Sequence, residues 1–198
     1  MVLPNQLTVL RIILTPIFYF LFISDDSLLK QISVVVFLIA AITDWYDGWL
    51  ARKFNYITDW GKFLDPLADK ILTSAAFIAL VHINVLSFWM VLIIILRDFL
   101  ITGMRAYAEF KKEYFSTSNL AKWKTFLQMA FLYYLLFVLT MKTIPVFYNG
   151  YKFILNFLLN KDLVYFSMLA ITLLTFFTGV QYFYRNKKII RKLIKNET

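Results

Sequence analysis

Six apolar runs, at about 7–24, 29–51, 66–84, 86–104, 124–142 and 163–184, take up most of this 198-residue chain. Each is close to the length of a bilayer-crossing helix. Hydrocarbon offers no partner to a free peptide group, so runs this long must satisfy their backbone internally, as helices. The expected fold is therefore all-α: a polytopic integral membrane protein with six transmembrane helices, in a single domain over 1–198. The third and fourth runs are the hardest to separate, since "LVHINVLSF" gives only a weak polar break. The N-terminus "MVLPNQLTVLRIILTPIFYFLFI" lacks a basic leader and a small-residue cleavage site, so it is expected to stay as the first span.

Lys and Arg in the connections set the orientation. Fourteen fall at 52–62, 105–124 and in the tail "YRNKKIIRKLIKNET", against four (Lys30, Lys142, Lys152 and Lys161) in the opposite connections. Both termini are thus expected on the cytoplasmic side. The formal charge of +9 accompanies a 61% hydrophobic composition, so it reads as a topology and lipid-surface signal, with no nucleic-acid partner expected. Between the last two runs, 144–162 reads as a loop helix in preference to an interfacial one. The tail, with Ile and Leu among lysines, reads as a stop-transfer anchor in preference to a helix lying on anionic headgroups.

Only twelve residues are acidic, and five of them, Asp44, Asp47, Asp59, Asp65 and Asp69, crowd into "TDWYDGWLARKFNYITDWGKFLDPLADK" at 43–70. Asp44 and Asp47 are three apart and Asp65 and Asp69 four apart, so each pair shares a helical face. A connection of about a dozen residues makes the two helices antiparallel neighbours, with all four carboxylates at one end. Four unpaired anions there would repel and take up protons. A hard divalent cation such as Mg²⁺, held by carboxylate and substrate phosphate oxygens, removes the conflict. There is no cysteine, and the lone His82 belongs to the far end of the third helix as an interfacial residue, so zinc has no ligand set.

Gly48, Ala51 and Gly61 allow close approach of a ligand, and Arg52 offers a fork of donors suited to phosphate. Pro66 is expected in the first turn of the third helix, and Asp59 in a solvated loop. Surface salt bridges to Arg52, Lys53, Lys62 and Lys70 are the plainer alternative. They do not account for four carboxylates at helical spacing beside small residues and an arginine, in a setting where carboxylates are costly. A cation channel would place further acids on other helices, but the cores of the first, fifth and sixth runs have none.

The stretch "DWYDGWLAR…GKFLDPLAD" resembles the signature of the CDP-alcohol phosphotransferases, D-x-x-D-G-x-x-A-R followed by G-x-x-x-D-x-x-x-D, with the gap of eight residues typical of that family. The resemblance implies a six-helix membrane enzyme, usually a homodimer, that transfers a phosphatidyl or similar group from a CDP-linked donor to an alcohol and releases CMP. It implies that Asp44, Asp47 and Asp65 ligate one or two Mg²⁺ or Mn²⁺ ions. Asp69 would then be the base for the acceptor hydroxyl and a further metal contact, with Gly48, Ala51, Arg52 and Gly61 receiving the CDP moiety. "LPNQLTVLRIILTP", "DPLADK", "RDFLITGMR" and "AKWKT" resemble the bacterial branch that uses CDP-diacylglycerol and glycerol 3-phosphate, which implies the bacterial inner membrane. Ala121 and Asp98 depart from that branch, which more often has Gly and Glu there.

A phosphorylated acceptor needs cations, and Arg97, Arg105, Lys122 and Lys124 are the candidates. Arg97 lies deep in an apolar run, where a topology signal has no use. Arg11, within the first run, would snorkel or line the cavity.

Overall fold

The computed structural model describes the backbone of residues 3–54, 59–111, 113–116 and 118–195, and the side chains of 7–43, 64–111, 113–116 and 118–191. Over these residues the chain is helical, with no strand: α1 Leu3–Ile23, α2 Ser27–Phe54, α3 Asp59–His82, α4 Phe88–Phe110, α5 Asn119–Thr143, α6 Pro145–Leu158, α7 Lys161–Arg185 and α8 Lys187–Lys195. Each of the six apolar runs lies largely within one of the long helices, α1 to α5 and α7. The helices pack in a connected series, α1 on α2 and α3, α3 on α4, α4 on α7, and α5 on α2 and α7.

The break between α3 and α4 has a definite cause. Asn84 takes the left-handed conformation at φ 59°. Around it the Asn84 N–H bonds the Val81 carbonyl and the Val85 N–H the Leu80 carbonyl, both at 2.9 Å. These are the paired bonds of a Schellman ending, with Asn in the place glycine more often fills. Leu80 in the core and Val85 packed against it complete the ending with an apolar contact. The weak polar break is one asparagine that tolerates φ > 0.

Three boundary expectations are corrected. α2 runs on to Phe54 and α3 begins at Asp59, so a connection of about a dozen residues does not separate them. Asp59 consequently opens α3 instead of lying in a loop. Pro66 lies well inside α3, not in its first turn, because the helix starts upstream of the point where the apolar run begins. At 144–162 the chain forms α6, with Pro145 in its first turn and a kink at Tyr151 (φ −127°, ψ 25°).

The bundle is apolar at one end and polar at the other. Phe18 and Phe22 of α1, Phe37 of α2, Phe77 and Leu80 of α3, Met90 and Ile94 of α4, Leu132, Leu135 and Leu136 of α5, and Met168 of α7 form one buried cluster. At the opposite end the buried residues are Thr8 and Arg11, Asp98, Lys124 and Gln128, and Thr175 and Thr178. Contacts between distant positions fix the relative directions. Thr8 meets Asp65, and Tyr19 meets His82 at 3.3 Å, so α1 and α3 run parallel. Lys124, early in α5, meets Asp98 at the middle of α4.

The lateral surface inverts the usual rule for soluble proteins. On α7, Thr172, Thr175 and Thr178 are buried, while Leu173, Phe176, Phe177 and Val180 are 49% to 65% exposed. The threonine hydroxyls are satisfied locally, donating to the carbonyls of Met168, Ile171 and Thr175 at 2.7 to 3.0 Å. A helix with hydroxyls inward and phenylalanines outward is one solvated by lipid. By length and composition α5 and α7 can cross a membrane, and the described parts of α1 and α2 add apolar stretches at Leu7–Ile23 and Ser27–Thr43. α3 and α4 are interrupted by the charges of the polar end, Lys62, Asp65, Asp69 and Lys70 on one and Arg97, Asp98 and Arg105 on the other.

Candidate active site

The described half of the aspartate constellation is on α3. Asp65 and Asp69 are one turn apart on one face, both half-buried. Thr8 Oγ1 of α1 donates to Asp65 Oδ1 at 2.5 Å and fixes that carboxylate from the neighbouring helix. Thr8 itself is 1% exposed, so water does not compete for this bond. Asp69 Oδ2 pairs with Lys70 Nζ at 3.3 Å, and the Asp69 side chain is 36% exposed. Asp65 is thus the anchored carboxylate and Asp69 the accessible one. The side chains of Asp44, Asp47, Gly48, Ala51, Arg52 and Gly61 lie outside the described residues. Their backbone is helical, with Asp44, Asp47, Gly48, Ala51 and Arg52 in α2 and Gly61 in α3.

Beside α3 lies a buried ionic network on α4, α5 and α7. Asp98, 5% exposed, accepts from Lys124 Nζ at 2.5 Å and Arg97 Nη1 at 3.0 Å on one oxygen, and from Gln128 Nε2 at 3.1 Å on the other. Arg97 Nη2 reaches Thr178 Oγ1 of α7 at 3.4 Å. Gly179 makes room for it: a Cβ there would stand 3.3 Å from Arg97 Cγ. Asp98 thereby gathers donors from three other side chains, the compensation that a carboxylate removed from water requires. Lys70 is also within electrostatic range of Asp98 and Lys124, which joins this network to the Asp69 side of the site.

The four expected acceptor-binding cations separate into two groups. Arg97 and Lys124 are drawn inward to Asp98, Lys124 being fully buried and the Arg97 side chain 14% exposed. The Arg97 Nε is buried and has no hydrogen-bond partner among the described residues, so it is a charged donor with capacity to spare. Arg105 and Lys122 are exposed, and Arg105 lies over the Tyr182 ring at 5.6 Å from its centroid. Arg11 is wholly buried in α1 and does not snorkel to the surface. His82, at the far end of α3, meets Tyr19 of α1.

Sequence reasoning missed Thr8, Gln128 and Thr178. Gln128 had a signal, being four residues from Lys124 on one face of α5. Thr8 and Thr178 had none, because their partners are far away in the chain.

For a divalent ion the donor chemistry fits. Asp65 and Asp69 offer hard oxygen ligands on one face, one held in place by Thr8 and the other accessible, and the single histidine is at the opposite end of α3.

At its polar end the bundle thus sets a carboxylate face on α3 beside buried cations on α4 and α5. The profile of the CDP-alcohol phosphatidyltransferase family matches residues 1–159, and the chain belongs to that family. It is similar to the CDP-diacylglycerol–glycerol-3-phosphate 3-phosphatidyltransferase of Bacillus subtilis (strain 168), 42% identical over 139 residues covering 64% of this chain and 72% of the relative. The protein of the same name from Rickettsia typhi is 41% identical over 127 residues, 64% of this chain and 71% of that one. The one from Salmonella paratyphi A is 41% identical over 138 residues, 67% and 75%.

Proposed function

We propose that this chain transfers the phosphatidyl group of CDP-diacylglycerol to glycerol 3-phosphate, giving phosphatidylglycerophosphate and CMP. The observation that carries the reading is the likeness, at about 41% identity over most of each relative, to enzymes named for that donor and acceptor. The buried cations beside a carboxylate face support it chemically. Six long helices cross the bacterial inner membrane, with both termini and the site on the cytoplasmic side as the charge asymmetry directs, and the enzyme acts as a homodimer.

Asp44, Asp47, Asp65 and Asp69 hold one or two Mg²⁺ or Mn²⁺ ions, which would neutralise charge on the diphosphate and on the departing CMP. Gly48, Ala51, Arg52 and Gly61 receive the CDP moiety. Asp69, the accessible carboxylate, takes the proton from the acceptor hydroxyl as its oxygen attacks the phosphorus bearing the diacylglycerol and the bond to CMP breaks. Arg97, through its uncommitted Nε, receives the acceptor's phosphate. Lys124 supports it from within the Asp98 network, and the exposed Arg105 and Lys122 draw the anion toward the site. The donor's acyl chains stay in lipid against the apolar flanks of the helices.

The test is CMP release by the purified, lipid-supported protein from CDP-diacylglycerol and Mg²⁺, with glycerol 3-phosphate, inositol, inositol phosphate, serine and phosphatidylglycerol as competing acceptors. Turnover with glycerol 3-phosphate alone, abolished by a chelator and restored by Mg²⁺ or Mn²⁺, is the expected result. Turnover with a different acceptor would overturn the acceptor assignment and leave the aspartate site standing.

Thr8→Val tests the anchoring of Asp65. It keeps the shape and removes the donated hydrogen bond, and is expected to raise the Mg²⁺ concentration for half-maximal CMP release by about 10–100-fold, as loss of a ligand-orienting contact does. An unchanged Mg²⁺ requirement would remove Asp65 from the metal set.

A further inference from the structure

α8 begins immediately beyond α7, with Asn186 alone between them. At the helical repeat, Ile189, Ile190, Leu193 and Ile194 fall in one arc of about 140°, and its five Lys and Arg residues fall in the opposite arc. The helix carries no acid. Among the described side chains, Lys187, Lys188 and Arg191 are exposed, while Ile189 and Ile190 are half-buried. A helix of nine residues is marginal in water by itself. Its apolar arc therefore needs a surface.

The direction of α8 is not free. Asn186, 2% exposed, caps α7 by donating from Nδ2 to the Tyr182 carbonyl at 2.9 Å and to the Ser116 carbonyl at 3.3 Å. Its Oδ1 accepts the Ser116 N–H at 3.1 Å and the Ser116 hydroxyl at 3.3 Å. Ser116 belongs to the connection between α4 and α5, two residues before Ser118, whose hydroxyl caps α5. One asparagine thus ties the root of α8 to the segment leading into the helix that carries Lys124.

Against the stop-transfer reading of the tail, the separate basic helix Lys187–Lys195 leads us to the other one: we propose that α8 docks on the anionic lipid headgroups of the protein's own bilayer, and that Asn186 makes this seat an anchor for the α4–α5 connection. α7 has the length and composition of a spanning helix, so its end stands at headgroup level, where α8 begins. A basic amphipathic helix at that depth buries its apolar arc at the acyl boundary and turns its cations to phosphate-bearing headgroups. The partner follows from charge: a neutral surface would serve the isoleucines but give the lysines nothing. The inference rests on α7 crossing the bilayer, not on the acceptor of the proposed reaction.

The experiment is hydrogen exchange on the full chain in nanodiscs of phosphatidylcholine alone and of phosphatidylcholine mixed with phosphatidylserine, which the proposed reaction does not form. The α8 amides are expected to exchange on the order of 100-fold more slowly in the anionic discs, the size that the three exposed cations near a charged surface supply. High salt and the variant Lys187→Gln, Lys188→Gln, Arg191→Gln are each expected to erase the difference. Asn186→Ala is expected to leave the α8 protection in place while amides 113–116 exchange faster. Equal exchange in both discs overturns the proposal, as does slowing that survives loss of the three charges. Slowing that grows with protein concentration would identify a second copy of the chain as the partner and also overturn it. A chain that fails to enter discs would instead refute the crossing by α7.

Discussion

An Asp69→Asn enzyme is expected to lose CMP release by about 10²–10⁴-fold in kcat, while its affinity for the CDP-linked donor stays within a few-fold of wild type. The amide keeps the size of the carboxylate and cannot take a proton. Its neighbour Asp65 keeps the bond from Thr8, so that carboxylate stays in place on α3. Asp44→Ala is expected to lose both turnover and donor binding, because a carboxylate proposed to hold the metal is removed outright. Equilibrium binding of the donor beside single-turnover CMP release separates the two outcomes. Normal turnover by Asp69→Asn would sink the base assignment.

The second large effect is on stability. Asp98→Ala strands Lys124, whose side chain is fully buried, without the carboxylate it bonds. Breaking a buried pair from one side costs about 3–5 kcal/mol, far more than removing both partners together. Unfolding in lipid or detergent should therefore show a large loss for Asp98→Ala, and much of it should return in Asp98→Ala/Lys124→Met. Asp98→Glu, which keeps the charge, should stay close to wild type. The double variant also separates the two parts of the site. If Lys124 only supports the fold, activity recovers with stability; if it helps to hold the acceptor's phosphate, stability recovers and the KM for the acceptor stays high. A mild effect of Asp98→Ala alone would mean that the network is not what joins α4 to α5.

Much of the fold is legible in the chain because it is local. The six apolar runs became six long helices, since hydropathy and helical period are properties of neighbouring residues. The ends were read less well. Pro66 looked like a helix start because the apolar run begins beside it, but α3 starts at Asp59 and passes through the proline. The α3–α4 break was legible in principle, since Asn84 is the residue that accepts the left-handed turn. Asp65 and Asp69 were legible as a pair, because their spacing of four residues fixes a shared face wherever the helix is placed.

The fates of the cations were not legible in the same way. Arg97 stood apart by its depth in an apolar run, but nothing in the spacing of Lys124 distinguished it from the outward Arg105 and Lys122. The sequence alone determined that this chain is an all-helical bundle and that it carries a carboxylate motif of one family, because both are written within a few turns of helix. Only the tertiary structure decided that Lys124 and Gln128 converge on Asp98, that Thr178 meets Arg97 and that Gly179 makes room for it. The contacts concerned span 26, 30 and 81 residues of chain. Helical spacing says which residues share a face, but the rotation and depth at which two faces meet are set by how the whole bundle packs.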